Sequence, residues 1–160
     1  RSWQLATVQL DMQSAERFAA TYIGEDGKEH YPAIIHRVIY GAVERFMGIL
    51  VEHYQGKFPL WLSPVQVRML SISEDNMKYA KSVERELSDN GIRVDGNYEP
   101  STIEYKIRDA QLQKIPYMIV IGNKEEQGKN IAVRSRDGKV KYNVKLDEFL
   151  KQLSKENKIT

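Results

Sequence analysis

The sequence predicts an α/β protein in two parts: an antiparallel sheet fragment with one long helix, then a mixed sheet of about five strands with helices on its faces. Three observations predict it. Before Gly41 the chain offers short runs free of Gly and Pro, separated by turn signals such as Gly24-Glu25-Asp26-Gly27. A cluster of Gly56, Pro59 and Pro64 then follows the first long helical pattern. From Gln66 onward, apolar runs alternate with segments of helical period in the order βαβαβββα.

The first part reads as follows. Residues 3 to 10 form a strand, since neither Gly nor Pro interrupts them before Asp11, and Arg17 to Ile23 form a second. The turn at Gly24 to Gly27 leads toward Tyr31, and Pro32 to Tyr40 completes the antiparallel fragment. His36 shares one strand face with Ile34, Val38 and Tyr40. After Gly41, Phe46, Ile49, Leu50 and His53 recur at helical spacing, and Met47, Val51 and Tyr54 form a second stripe. This helix is expected to be buried on two sides. GKFPLWLSP, with Trp61 at its centre, reads as a packed linker, so the boundary near Lys57 to Leu60 divides residues 1–57 from 58–160.

In the second part, Gln66 to Ile72 is a strand, and Ser73 is expected to cap a helix whose core face is Met77, Ala80, Val83 and Leu87. Gly91 ends that helix before the strand Ile92 to Asp95. Ser101 with Glu104 has the spacing of a capping box for a helix carrying Ile103, Ile107 and Ala110, which Pro116 stops. Tyr117 to Ile121 is apolar enough for a central strand. Asp137-Gly138 signals a hairpin between Ile131 to Arg136 and Lys139 to Val144, and Leu146, Phe149, Leu150 and Leu153 give a closing helix.

Composition narrows the classes of function. With 160 residues and 41% hydrophobic side chains, a core is affordable. No run approaches the roughly 20 apolar residues of a membrane span, and the first ten residues lack a signal-peptide pattern, so nothing directs the chain out of the cytosol and no membrane partner is expected. The absence of cysteine excludes thiolate nucleophiles, disulfides and Cys-based zinc sites. Residues 1–57 carry 6 Lys/Arg against 7 Asp/Glu, and residues 58–160 carry 18 against 15, so the positive excess lies in the second part. Nucleic-acid contact should therefore be local and shape-fitted rather than driven by bulk charge. The chain opens at Arg1, beside a strand and without Met, and is expected to be cut from something longer.

Two places invite a ligand on physical grounds. Arg45 lies in the first turn of a helix reached from a strand, where free N–H groups and the helix dipole already favour negative charge. The other is the sheet edge after Gly122, where alternation lets Ala132, Arg134 and Arg136 project while Ile131, Val133 and Ser135 pack. Two outward guanidinium groups can hold phosphates or read unstacked bases. The plainer alternatives are a salt bridge for Arg45 and a solvated charged strand for the arginines.

The run HRVIYGAVERFMGILVEHYQGKFPLWLSPVQV, from His36 to Val67, closely resembles the end of the catalytic domain of threonyl-tRNA synthetases, with class II motif 3 and the crossing into the anticodon-binding domain. WQLATVQLD at residues 3–11 and YIGEDGKEHYPAIIHR at 22–37 are similar to that family too, and the likeness continues to about Asp147. The resemblance implies a partial class II catalytic sheet with the motif 3 helix, then a mixed five-stranded anticodon-binding domain.

It also implies roles. Gln4, Thr7 and Gln9 match positions lining the pocket for ATP and threonine: Gln4 and Thr7 toward the nucleotide, Gln9 toward the amino acid. Strict alternation would set Gln4 and Gln9 on opposite strand faces, so sharing one pocket would take a bulge or strong twist. Arg45 matches the motif 3 arginine that lies along ATP and offsets charge developing on its phosphates. His36 matches one of three protein ligands to a catalytic zinc whose other two ligands lie upstream, so an incomplete zinc site is expected here. His30 and His53 share no metal spacing with it and read as surface or packing residues. Glu125 and Arg134, in GNKE and VRSR, match residues that contact anticodon bases, with Lys124, Arg136 and Lys114 supplying neighbouring charge.

Ala42 stands where the family commonly has Ser, and DGNYEPST from Asp95 to Thr102 lacks the family's usual basic residues and has Pro100 in place of an Asn. The implied activity is threonine–tRNA ligation, with ATP and zinc as cofactors, threonine and its tRNA as partners, and a homodimer in the complete enzyme. This stretch alone is expected to be inactive, since motifs 1 and 2 are missing, yet able to recognise the anticodon. The alternative is a non-catalytic RNA-binding or assembly module of the same fold.

Overall fold

The computed structural model describes residues 2–158. The chain divides into two compact units, residues 1–53 and 54–160.

The first unit contains β1 (Thr7–Asp11), a short helix α1 (Ser14–Arg17), β2 (Tyr22–Ile23), β3 (Glu29–His30), β4 (Ile34–Val38) and most of α2 (Val43–Tyr54). β1 and β4 pair antiparallel, and β2 with β3 makes a separate two-stranded ribbon. The strand expected over residues 3–10 begins only at Thr7, and the one expected over 17–23 shrinks to Tyr22–Ile23. The cause is local. The Asp11 carboxylate accepts from the backbone N–H groups of Gln13 and Ser14, each at 2.9 Å, and from the Ser14 hydroxyl. Such side-chain bonds to nearby backbone favour a turn and a helix start over continued strand.

α2 departs further from expectation. Neither stripe is fully buried: Phe46, Ile49 and Leu50 of the first are half-buried, and Met47 and Val51 of the second are 59% and 50% exposed. Among the described residues of the first unit only Ala15 is buried. Two isolated strand pairs present too little surface to cover a helix with apolar residues on both sides.

The second unit holds the core. After a single 3-10 turn at Leu60–Leu62 come β5 (Val67–Ser71), α3 (Met77–Asp89), β6 (Val94–Asn97), α4 (Ile103–Leu112), β7 (Tyr117–Ile121), α5 (Asn123–Gly128), β8 (Ile131–Ser135), β9 (Val140–Val144) and α6 (Leu146–Glu156). The sheet is five-stranded and mixed, in the order β6-β5-β7-β8-β9, with β5 parallel to β6 and β7, and β8 antiparallel to β7 and β9. The apolar run of β7 occupies the central position, where both faces must be covered.

Alternation along the strands produces two cores. Val67 and Met69 of β5, Ile119 and Ile121 of β7, and Ile131 and Val133 of β8 pack with Ala80, Val83 and Leu87 of α3 and Phe149 and Leu153 of α6. On the opposite face Leu70 and Met118 pack with Ala110 and Ile115, flanked by Ile103 and Ile107 of α4.

The linker segment is packed through polar bonds. Gln66 is fully buried and donates to the Leu60 carbonyl at 2.8 Å and to Asn157 Oδ1 at 2.6 Å, while its Oε1 accepts from the Arg93 N–H at 3.0 Å.

Two helix starts differ from expectation. Ser73 does not cap α3; its hydroxyl donates to Asn76 Oδ1 at 2.8 Å, and Asn76 itself stands at the N-cap. For α4 the cap is Thr102 rather than Ser101, its hydroxyl accepting from the Tyr105 N–H at 3.3 Å. At the β8–β9 turn Gly138 has φ +88°, a left-handed conformation that L side chains resist, so Asp137-Gly138 closes the hairpin as its sequence demands.

Candidate functional site

In the first unit the β1–β4 register sets Gln9 opposite His36 and Thr7 opposite Val38, so Thr7, Gln9, Asp11 and His36 project from one face. Because β1 starts at Thr7, Gln4 is free of its alternation. The Gln4 amide donates to the Thr7 hydroxyl at 3.2 Å, which brings Gln4 to the face that Gln9 occupies with no bulge required.

His36 Nε2 lies 3.4 Å from Asp11 Oδ2. The Asp11 carboxyl is held well below the usual carboxylate range, first by the Ser14 hydroxyl, then by the backbone N–H groups of Ser14 and Gln13, with His36 contributing least. Among the described residues no group of three His, Asp or Glu side chains is placed to hold a metal ion. His36 is one good nitrogen donor, and Asp11 is already engaged by Ser14 and Gln13. These residues do not by themselves complete a zinc site, which takes at least three protein ligands.

Arg45 sits in the first turn of α2, exposed and without a hydrogen bond or ion pair among the described residues. Gly41, at φ +67°, makes the turn between β4 and α2. The guanidinium is therefore available to an outside anion rather than held in a salt bridge.

In the second unit the candidate RNA residues do not form one cluster. Lys124 and Glu125 lie in the first turn of α5, a helix that the all-polar run NKEEQG conceals from any periodicity argument. Lys124 is exposed, and Glu125 accepts the Gly122 N–H at 3.0 Å. That is half of a capping box, because Gly122 has no side chain to return the bond. The α5 start is fixed in turn by Asn76, 1% exposed, which donates to Asn123 Oδ1 and Glu126 Oε2, both at 2.8 Å.

Lys114 and Arg136 lie at the other end of β7. Lys114 donates from Nζ to the Gln55 carbonyl at 2.6 Å, and Arg136 from Nη1 to the Phe58 carbonyl at 3.0 Å. The five residues of β7 separate these two places by about 13 Å.

β8 is not the edge expected after Gly122. It lies between β7 and β9, and Ala132, expected to project, is 5% exposed. Arg134 stands between Met118 and Val140 in the register, half-buried, and makes no hydrogen bond or ion pair among the described residues; its Nε is sealed from solvent and unpartnered. Of the two arginines, Arg136 has committed its Nη1 to backbone carbonyls, whereas Arg134 commits none of its donors among the described residues.

One further place escapes a reading by motif. At the carboxyl ends of β5 and β6 a crevice of about 390 Å³ is lined by Lys106 and Ser101 among others. Lys106 is 3% exposed. It falls between Ile103 and Ala110 on the inward stripe of α4, and a lysine on an apolar stripe is the signal that could have found it.

Comparison with known proteins places these features in a lineage. Residues 66–156, more than half of the chain, match the family described as "Anticodon binding domain", and residues 1–54 match "tRNA synthetase class II core domain (G, H, P, S and T)". The chain is 54% identical over 156 residues to a threonine–tRNA ligase of Clostridioides difficile, covering 98% of this chain and 24% of that protein. It is 53% identical over 150 residues to one of Desulfatibacillum aliphaticivorans, covering 94% and 24%. The solved RNA binding domain of threonyl-tRNA synthetase from Cryptosporidium parvum superposes with a TM-score of 0.78 at 42% identity, covering 100% of this chain and 41% of that one. The chain thus spans about a quarter of the length of the curated relatives it matches.

Proposed function

The chain belongs, through residues 66–156, to the family of anticodon-binding domains, and from that premise we propose that it is the C-terminal part of a threonine–tRNA ligase that recognises the anticodon of threonine tRNA. The observation that carries this is the succession of two family matches in one chain, the end of a class II core followed by an anticodon-binding domain, at about half identity to threonine–tRNA ligases throughout. Residues 1–57 are read as the end of the catalytic domain and 58–160 as the anticodon reader.

In the complete enzyme, ATP and threonine would meet the polar face of Thr7, Gln9 and His36, with Gln4 beside Thr7. That all four reach one side supports the reading. Arg45 would offset charge on the ATP phosphates, for which an uncommitted planar guanidinium is suited. His36 would give one nitrogen to a zinc whose remaining ligands come from outside this chain; alone it fixes no metal. Homodimerisation and a cytosolic setting belong to the same proposal.

For the anticodon, Arg134 and Glu125 are the base-contacting pair, one offering donors and the other its free carboxylate oxygen, and Lys124 adds charge at the α5 start. Lys114 and Arg136 hold their heads against backbone carbonyls and serve the site by fixing its far end. Taken alone, the chain fits the second reading, an RNA-binding module without chemistry, because its first unit has almost no core to hold reacting groups still.

The test pairs two assays. Threonine-dependent exchange of pyrophosphate with ATP is expected of the full-length parent and absent from this chain. Binding of an anticodon stem-loop of threonine tRNA by this chain should weaken when Arg134→Ala is made. Equal affinity of wild type and variant would remove Arg134 from the site.

A further inference from the structure

We infer that the outer edge of β9 takes a short extended segment of an acidic partner protein as a sixth strand, with one large apolar side chain of that segment filling the cleft between β9 and α6. The residues proposed for the anticodon are not involved. Arg134 alternates with Val133 and Ser135 along β8 and so projects from the opposite face of the sheet.

The strand edge supplies the backbone partners. β9 is last in the order β6-β5-β7-β8-β9, so no strand pairs with its outer side. The Ser135 N–H donates to the Lys139 carbonyl at 2.9 Å, which turns the peptide groups of Lys139 and Lys141 toward β8 and those of Val140 and Tyr142 outward. A row of unpaired N–H and C=O groups is a template for another strand. Asn143, at φ +54°, interrupts the regular edge, so the match is short.

The cleft beside that edge sets the side-chain preference. It has a volume of about 230 Å³, with Val133 and Phe149, 5% and 1% exposed, at its floor and the exposed Lys139 and Lys141 at its rim. An apolar floor with a few polar groups around it suits one large apolar side chain. An added strand lies about 4.8 Å beyond β9, so an aromatic residue on it reaches the rim and leans inward. Main-chain bonds then supply affinity, and the cleft supplies specificity.

Charge selects the occupant. Lys141 has no carboxylate partner among the described residues, and Lys139 meets Asp137 at 3.2 Å with both side chains more than half exposed. A segment carrying Glu or Asp two residues to either side of its apolar anchor sets both acids on the lysine face. A second copy of this chain fits poorly. Antiparallel self-pairing centred on any residue from Val140 to Asn143 sets one of Lys139, Lys141 and Lys145 opposite another or itself, and like charges placed opposite are destabilising. β6, the other edge of the sheet, carries Asp95 and no lysine, and so offers an edge without that charge.

The experiment uses the whole chain, isotope-labelled, and the capped heptapeptide Thr-Glu-Thr-Phe-Thr-Glu-Thr, in which Phe and both Glu share one strand face. Amide exchange at Val140 and Tyr142 is expected to slow at least about tenfold at saturating peptide, with the β6 amides unchanged. The isomer Thr-Glu-Thr-Thr-Phe-Glu-Thr turns Phe to the other face and should bind about tenfold more weakly. Lys141→Glu, at an exposed position, should also weaken binding about tenfold, and added salt should weaken it in the wild type. Methylating the peptide nitrogens of one alternating set of residues should abolish binding while the other set leaves it intact, because only one set turns its N–H groups to β9.

No slowing at Val140 and Tyr142 with about 1 mM peptide, or equal slowing along β6, would overturn the inference. Binding that ignores both Lys141→Glu and salt would overturn the acidic class of partner. Protection of the same two amides that grows with chain concentration in the absence of peptide would assign the edge to a second copy instead. Displacement of the peptide by an anticodon stem-loop of threonine tRNA would assign it to RNA, and either result would overturn the inference.

Discussion

Arg136 donates to the Phe58 carbonyl at 3.0 Å across 78 residues of chain, whereas Arg134, two positions earlier, makes no hydrogen bond or ion pair among the described residues. One guanidinium is tied to the backbone and the other is uncommitted among the described residues. Arg136→Ala should therefore lower stability by about 1 kcal/mol, the scale of one charge-assisted hydrogen bond at a half-buried site. Arg134→Ala should leave the thermal midpoint nearly unchanged and raise the dissociation constant for the anticodon stem-loop about tenfold. Melting curves and filter binding on both variants check this, and an exchange of the two phenotypes would refute the division of labour.

Gln66 joins the linker, Arg93 just before β6 and Asn157 at the end of α6 through its two polar atoms. Gln66→Leu is close in volume but orphans the buried partners of that amide. A loss of about 2–3 kcal/mol is expected, because stranded donors and acceptors cost more than the bond itself contributed. The urea midpoint should fall with its slope unchanged. A shift below about 1 kcal/mol would mean that water or Arg93 fills the gap.

The second unit was largely legible in the sequence because its elements report their surroundings. Tyr117 to Ile121 is apolar throughout and takes the sheet centre, and Met77, Ala80, Val83 and Leu87 keep helical period because one side of α3 meets the sheet. α5 was illegible for the converse reason: NKEEQG has no apolar residue to bury, and what holds its start is Asn76, a tertiary contact that local pattern does not encode. Ala132 misled for a related reason. Alternation assigns faces, but whether a face is covered depends on what packs there.

In the first unit the family resemblance singled out Thr7, Gln9 and His36 as candidates, and the register sets them on one face. Periodicity failed for α2, whose stripes imply two packed layers that these residues alone do not provide. Lys106 was the reverse case. Its position on the inward stripe was readable, yet only its burial without a carboxylate gives that position a meaning.

Tyr117 gives a pH signature. Its hydroxyl donates to Glu156 Oε2 at 2.7 Å and accepts from Gln152 at 3.1 Å, and burial, followed by the Glu156 bond, pushes its ionisation up to about 12. The native state thus favours the protonated phenol. The stability it contributes is fully present below the ordinary tyrosine value near 10 and is lost as pH rises from there through about 12. Burial also raises Tyr79 and Tyr98, so the measurement is a difference. Tyr117→Phe should remove part of the alkaline loss, and identical stability profiles of wild type and variant between pH 9 and about 12 would contradict the assignment.

Hydrogen exchange should divide the chain unevenly. An amide is protected by the free energy needed to open its hydrogen bond, and that energy comes chiefly from apolar burial around the strand. β7 is flanked by strands on both sides, and Met118, Ile119 and Ile121 are fully buried. β1 has only β4 beside it, and Val8, Leu10 and Ile35 are 69%, 62% and 66% exposed. An isolated strand pair is marginal in water, so β1 and β4 can open without disturbing the sheet of the second unit. β7 amides should therefore exchange at least about 100-fold more slowly than those of β1, a gap of about 2.7 kcal/mol. Exchange followed by mass spectrometry on the whole chain measures the ratio. Equal protection would mean that residues 1–53 are stabilised as strongly as the sheet, and that the exposed apolar face of β1 and β4 is covered in solution.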